Sequence, residues 1–101
     1  MKLGVVITEK TLIAPALALM ASAADRDFQL RCFLSDSGVK ALHDADLQAL
    51  ITLGRVAMAV CEHSMERYGV HVPEKIKPRV VVGGQYQNAE LVRWCDRVAV
   101  F

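Results

Sequence analysis

Val56-Ala57-Met58-Ala59-Val60-Cys61 runs without a break into Glu62-His63-Ser64-Met65-Glu66-Arg67-Tyr68-Gly69. Val56 to Val60 is a short, continuous apolar run that enters directly at Cys61, the pattern of a strand covered on both faces. The second stretch is a helix of about two turns, closed by a glycine that can take the left-handed conformation. A strand that feeds a helix directly is half of a parallel βα unit, and the rest of the chain repeats it.

Upstream, Leu3 to Ile7 is a β-branched run ended by Thr8-Glu9-Lys10. A helix follows with the stripe Ile13, Ala16/Leu17, Met20 and Ala23/Ala24; it must start near Thr11 or Leu12, so that Pro15 falls in the first turn. Phe28 to Leu34 reads as a second strand, Ser35 to Gly38 as a turn, and Val39 to Leu42 as a weak helical piece. Asp44 or Asp46 caps a helix through Leu47, Leu50 and Ile51 that stops at Gly54. Downstream, a loop with Pro73 and Pro78 leads to the strand Val80-Val81-Val82, ended by Gly83-Gly84. Asn88 is read as the cap of a helix carrying Leu91, Val92, Trp94 and Cys95, before a last strand from Val98 to Phe101. The expected fold is a single-domain α/β three-layer sandwich over residues 1–101, with about five mainly parallel strands and helices on both faces.

Composition agrees with that architecture. The chain has 101 residues, 53% of them hydrophobic, enough for one core without metals or disulfides. Twelve Lys and Arg face eleven Asp and Glu, and only Lys75, Lys77 and Arg79 form a loose basic cluster, so a nucleic-acid partner is not expected. Three cysteines, Cys32, Cys61 and Cys95, lack any CxxC pair or zinc spacing and read as reduced thiols, which points to the cytoplasm. Lys2, the apolar stretch Leu12 to Met20 and Ala21-Ser22-Ala23 imitate a secretory leader. That reading is set aside because Glu9 and Lys10 interrupt the segment and Leu3 to Ile7 already reads as a strand. A membrane span, which needs about 20 consecutive apolar residues, is not expected.

Ligands of open parallel sheets collect at the carboxyl ends of the strands. That edge comprises Thr8-Glu9, Ser35-Asp36, Cys61-Glu62-His63-Ser64 and Gly83-Gly84-Gln85. Cys61 stands where a strand becomes a helix start, and the positive end of the helix dipole favours negative charge on its sulfur. A free cysteine also packs readily as a small hydrophobe, and position alone leaves both readings open. Cys32 and Cys95 read as core or partner-facing. His63 is two residues from Cys61, a spacing that does not bring side chains together on a helix, and reads as a surface residue. Gly83-Gly84 marks either a close backbone approach or a plain turn. His43, His71, the methionines and Lys75/Lys77 suggest no chemistry, and Asp44 and Asp46 read as helix-start residues, not a metal pair.

The collinear set resembles the DsrE/DsrF-like sulfur-relay family. The strand, Cys61, the short helix and Arg67-Tyr68-Gly69-Val70 are similar to that family's "strand, Cys, short helix, Arg-x-Gly-Val" segment. Ser37-Gly38-Val39-Lys40-Ala41-Leu42 stands in place of its "dGV-x-lL" stretch, and Val80 to Gly84 and Asp96 to Phe101 match its later strands. The resemblance implies a homo- or hetero-oligomer, commonly a trimer or hexamer, and a cysteine at the place of Cys61 that carries persulfide sulfur between donor and acceptor proteins. It implies no metal or organic cofactor. Two alternatives remain: an oligomeric scaffold in which Cys61 is inert, with Tyr68, Tyr86 and Trp94 as interface anchors, or a small-ligand site at the strand ends near Thr8, Ser35, Asp36, His63, Ser64, Gly83 and Gly84.

Overall fold

The computed structural model describes residues 1–101. Its five strands are β1 (Lys2–Ile7), β2 (Gln29–Leu34), β3 (Ala57–Cys61), β4 (Val80–Gly83) and β5 (Arg97–Val100), all parallel in the order β4-β3-β2-β1-β5. Between them run α1 (Ile13–Asp25), α2 (Ala45–Thr52), α3 (Glu62–Tyr68) and α4 (Gln85–Trp94). No helix is long and apolar enough to cross a membrane.

The order decides how the layers form. Each of the first three connections steps one strand in the same direction, and right-handed crossovers put their helices on one face. The connection from β4 to β5 returns across the whole sheet in the opposite direction, so α4 lies on the other face. The first face is thick: 21 buried residues form one cluster, including Val5 and Ile7 of β1, Cys32 and Leu34 of β2, and Met20 of α1. The second has a buried cluster of four, Val6, Phe33, Cys61 and Leu91. Both faces carry helices, as the sequence predicts, but α4 alone covers the second. It leaves Val81 of β4 and Val98 and Val100 of β5 exposed.

Local chemistry explains most boundaries. Pro15 is the third residue of α1, where a missing N–H breaks no intrahelical bond. Asp44 is the cap of α2: its Oδ1 accepts from the backbone N–H groups of Asp46 at 2.9 Å and Leu47 at 3.3 Å. Gly54 and Gly69 take left-handed φ values of 70° and 63° just after α2 and α3. Two differences from the sequence reading go beyond shifts of a residue at the ends of β2, β3, β5 and α4. The piece expected at Val39 to Leu42 is a 3-10 helix over Asp36–His43. The last helix begins a turn before Asn88, because Gly84 is its cap and the Gln87 side chain reaches back to accept from the Gly84 N–H at 2.7 Å. Asn88 is instead in the second turn, donating to Gln85 Oε1 at 3.1 Å.

Gly38 sits directly on the end of β1, where a Cβ would run into the Ile7 carbonyl and lie 3.0 Å from the Thr8 nitrogen. Gly84, by contrast, has an extended backbone and open space beside it. Gly38→Ala is therefore expected to cost about 2–4 kcal/mol, since backbone atoms must move to admit the methyl. Gly84→Ser, which supplies a capping oxygen, is expected to stay within about 0.5 kcal/mol of wild type. Urea unfolding of the two variants checks the contrast, and equal losses would refute it.

Candidate functional site

The sequence places Cys61 at a strand-to-helix joint, and the structure makes it both things at once: the last residue of β3 and the N-cap of α3, with φ −74° and ψ 116°. Residues two apart on a strand share a face, so Cys61 follows Ala57 and Ala59 on the α4 side of the sheet. There it joins Val6, Phe33 and Leu91 and is 7% exposed. Its register partner on β4 is Gly83, and the next residue, Gly84, caps α4. The starts of α3 and α4 thus follow the ends of adjacent strands; the Gly84 N–H is taken up by Gln87, and the Cys61 side chain makes no capping hydrogen bond.

The other residues expected at this edge separate into three groups. Gly83 and Gly84 adjoin Cys61 on β4, and the Gln87 side chain occupies the space that a Cβ on Gly83 would need. Ser35, Asp36 and Ser64 are linked on the β2 side, with the Asp36 N–H donating to the Ser64 hydroxyl at 2.8 Å and the Ser35 N–H donating to the Ile7 carbonyl at 3.0 Å. Both serines are buried, and Asp36 has a positive φ of 48°, a conformation Asp tolerates better than most residues. This linkage pins the first turn of α3 and with it the backbone of Cys61. Thr8 lies at the same edge but beyond Ser35, at the end of β1: its N–H and hydroxyl both donate to the Phe101 carbonyl, at 2.6 and 3.0 Å, and its carbonyl accepts from the Ser37 hydroxyl at 3.4 Å. His63 is exposed and makes no hydrogen bond.

A groove of about 230 Å³ runs along the exposed side of α4, lined by Phe33, Ala57, Ala59, Val81, Gln87 and Leu91. It reaches Ala59, one same-face position before Cys61. Val6, Phe33, Leu91 and Gln87 are the surroundings that reading the sequence missed. Leu91 lies four residues after Gln87 and seven after Gly84, a helical spacing that would have shown one face had the start of α4 been placed correctly.

The other two thiols have different surroundings. Cys32 is in the main core, and burial pushes its thiol up from the usual 9.0 to about 12. Cys95 follows α4 as its C-cap, its sulfur 3.2 Å from where a Cβ on Gly4 would lie. In the unfolded chain the Cys32 thiol loses its proton near 9.0, while the folded chain keeps it to about 12, so folding stability falls as pH rises through that window. The expected loss is about 1.4 kcal/mol per pH unit between the two values. Cys32→Ala should show a shallower alkaline slope than wild type in denaturant titrations at pH 9 to 11; identical slopes would contradict the assignment.

A single parallel sheet with one thiol at its carboxyl edge, at the N-cap of α3, defines a compact α/β protein with a cysteine-centred corner. The sequence profile of the DsrE/DsrF-like family matches residues 1–101, and the protein belongs to that family. Comparison with curated proteins gives no match.

Proposed function

We propose that the protein is a sulfur-relay component, a persulfide carrier or sulfurtransferase subunit, that holds sulfur on Cys61 and passes it between partner proteins. The observation that carries this reading is the position of Cys61 at the carboxyl edge of the sheet, as the N-cap of α3 beside the strand end that leads into α4, with the first turn of α3 held by the Ser64–Asp36 hydrogen bond. Family membership supports the same role.

The chemistry uses only the thiol. The Cys61 thiolate attacks the outer sulfur of a donor persulfide; a new S–S bond forms at Cys61, the donor's S–S bond breaks, and the donor leaves as a thiolate. An acceptor thiolate then attacks the terminal sulfur and releases Cys61 as a thiolate. No net oxidant is consumed, because the sulfane sulfur keeps its oxidation level throughout. The apolar wall of Val6, Phe33 and Leu91 limits access of water and small oxidants to the persulfide.

Donor and acceptor are proteins in this reading, and the chain works in the cytoplasm as part of a homo- or hetero-oligomer, a trimer or hexamer. The exposed Val81, Val98 and Val100 supply apolar surface for such contacts. The same valines favour the alternative, an oligomeric scaffold with an inert Cys61. Intact mass separates the two. Incubation of the reduced protein with a persulfide donor is expected to add about 32 Da, reversibly by reductant, to wild type and not to Cys61→Ser. Equal gain on both proteins, or none on wild type, would leave the scaffold reading.

A further inference from the structure

The edge opposite Cys61 carries a second feature, a cleft of about 380 Å³ where β2 and β3 begin and α4 ends. Two arginines, Arg31 and Arg55, line it with Asp27 and Gln29. Arg31 projects from β2 on the α4 face, and its guanidinium lies 4.4 Å from the Trp94 ring centroid. Arg55 enters from the turn after α2, anchored by a hydrogen bond from its guanidinium to the Ala24 carbonyl and by a loose 3.7 Å contact with Asp27. Arg79 stands at the rim, its Nη1 3.6 Å from where a Cβ on Gly54 would lie.

Charge compensation is thin. Asp27 is the only acidic side chain lining the cleft, and it is 96% exposed. Neither Arg31 nor Arg79 has a carboxylate within salt-bridge distance or a side-chain hydrogen bond. Arg31 is half-buried, so its unpaired N–H groups have lost part of their water without gaining an acceptor. A guanidinium fork presents coplanar donors that fit two oxygens of one oxyanion, and stacking on an indole fixes the direction of that fork. Phe28 and Trp94 supply an apolar wall beside it. The volume lies within the range of small-molecule sites.

We propose that this cleft binds a small organic oxyanion, a phosphate ester or carboxylate on a flat ring. Arg31 and Arg55 clamp the oxyanion, Arg79 adds charge near Gly54, and the ring packs on Phe28 beside the Arg31–Trp94 stack. The site is independent of Cys61 and of any sulfur chemistry.

Trp94 is the only tryptophan of the chain, so its fluorescence reports on the cleft directly. Full-length protein is titrated with phenyl phosphate, benzoate, inorganic phosphate and, at matched ionic strength, sodium chloride, with backbone amide shifts of Gly54, Arg55 and Arg31 as a second readout. Phenyl phosphate or benzoate should give a saturable change, and the tighter of the two identifies the oxyanion. Arg31→Gln and Arg55→Gln should each weaken it about ten-fold or more. Cys61→Ser and Arg93→Gln, which lie outside the cleft, should leave it unchanged. No saturable response in either readout, the same response to chloride, or undiminished binding by both arginine variants would overturn the site. Inorganic phosphate binding as tightly as phenyl phosphate would overturn the part given to Trp94 and Phe28.

Discussion

The structure depends on how closely other backbone can approach β1. It is hydrogen-bonded to β2 on one side and β5 on the other, and from Leu3 to Ile7 it is buried. Two glycines make this possible. Gly4, inside the strand, faces α4 and leaves the volume that Leu91 and Cys95 occupy, while Gly38 lets the chain after β2 lie on the Ile7 carbonyl. Without the first, the Leu91 and Cys95 side chains would have to shift; without the second, the loop that carries Ser35 and Asp36 would meet the backbone of Ile7 and Thr8. Cys61 owes both its cover and its fixed backbone to contacts that begin at this strand.

Much of this was legible in the chain. Short apolar runs gave β1, β2 and β3 because each is covered by the main core, and Pro15, Gly54 and Gly69 punctuated the helices through constraints that act locally. What was hidden depends on distance. Val81, Val98 and Val100 read as buried strand residues, since an apolar run does not reveal that its second face meets only one helix. The start of α4 was misplaced because Asn88 is the better capping residue by type, whereas the actual cap is a glycine whose N–H is satisfied by the side chain of Gln87. The Asp36–His43 segment is too short for its period to separate a 3-10 helix from an α-helix.

The site shows the same division. The position of Cys61 at a strand-to-helix joint follows from its neighbours in sequence. Its walls do not, because Val6, Phe33 and Leu91 come from three other elements. His63, the nearest titratable imidazole in sequence, is exposed, whereas Ser64, one residue further, is buried and bonded to Asp36. Helix geometry decides between them. The cationic cleft at the opposite edge was invisible for a similar reason: Arg31, Arg55, Arg79 and Trp94 are scattered in sequence and converge only when β2, β3 and α4 are assembled.

The thinness of the second layer bears on the motions of the molecule. Segments joined to the rest by few buried apolar contacts open at a free energy below that of global unfolding. The unit formed by α4 and β5 meets this description: it packs through Leu91, Cys95 and the stacking of Trp94 on Arg31, and is tied to the sheet by one ladder, along β1. Its detachment leaves β1 to β4 and the main core in place while removing the roof over Cys61. Amides of α4 and β5 are therefore expected to exchange with solvent sooner than those of β1 and β2, and a bulky reagent to reach the Cys61 sulfur through this partial opening before the whole domain unfolds.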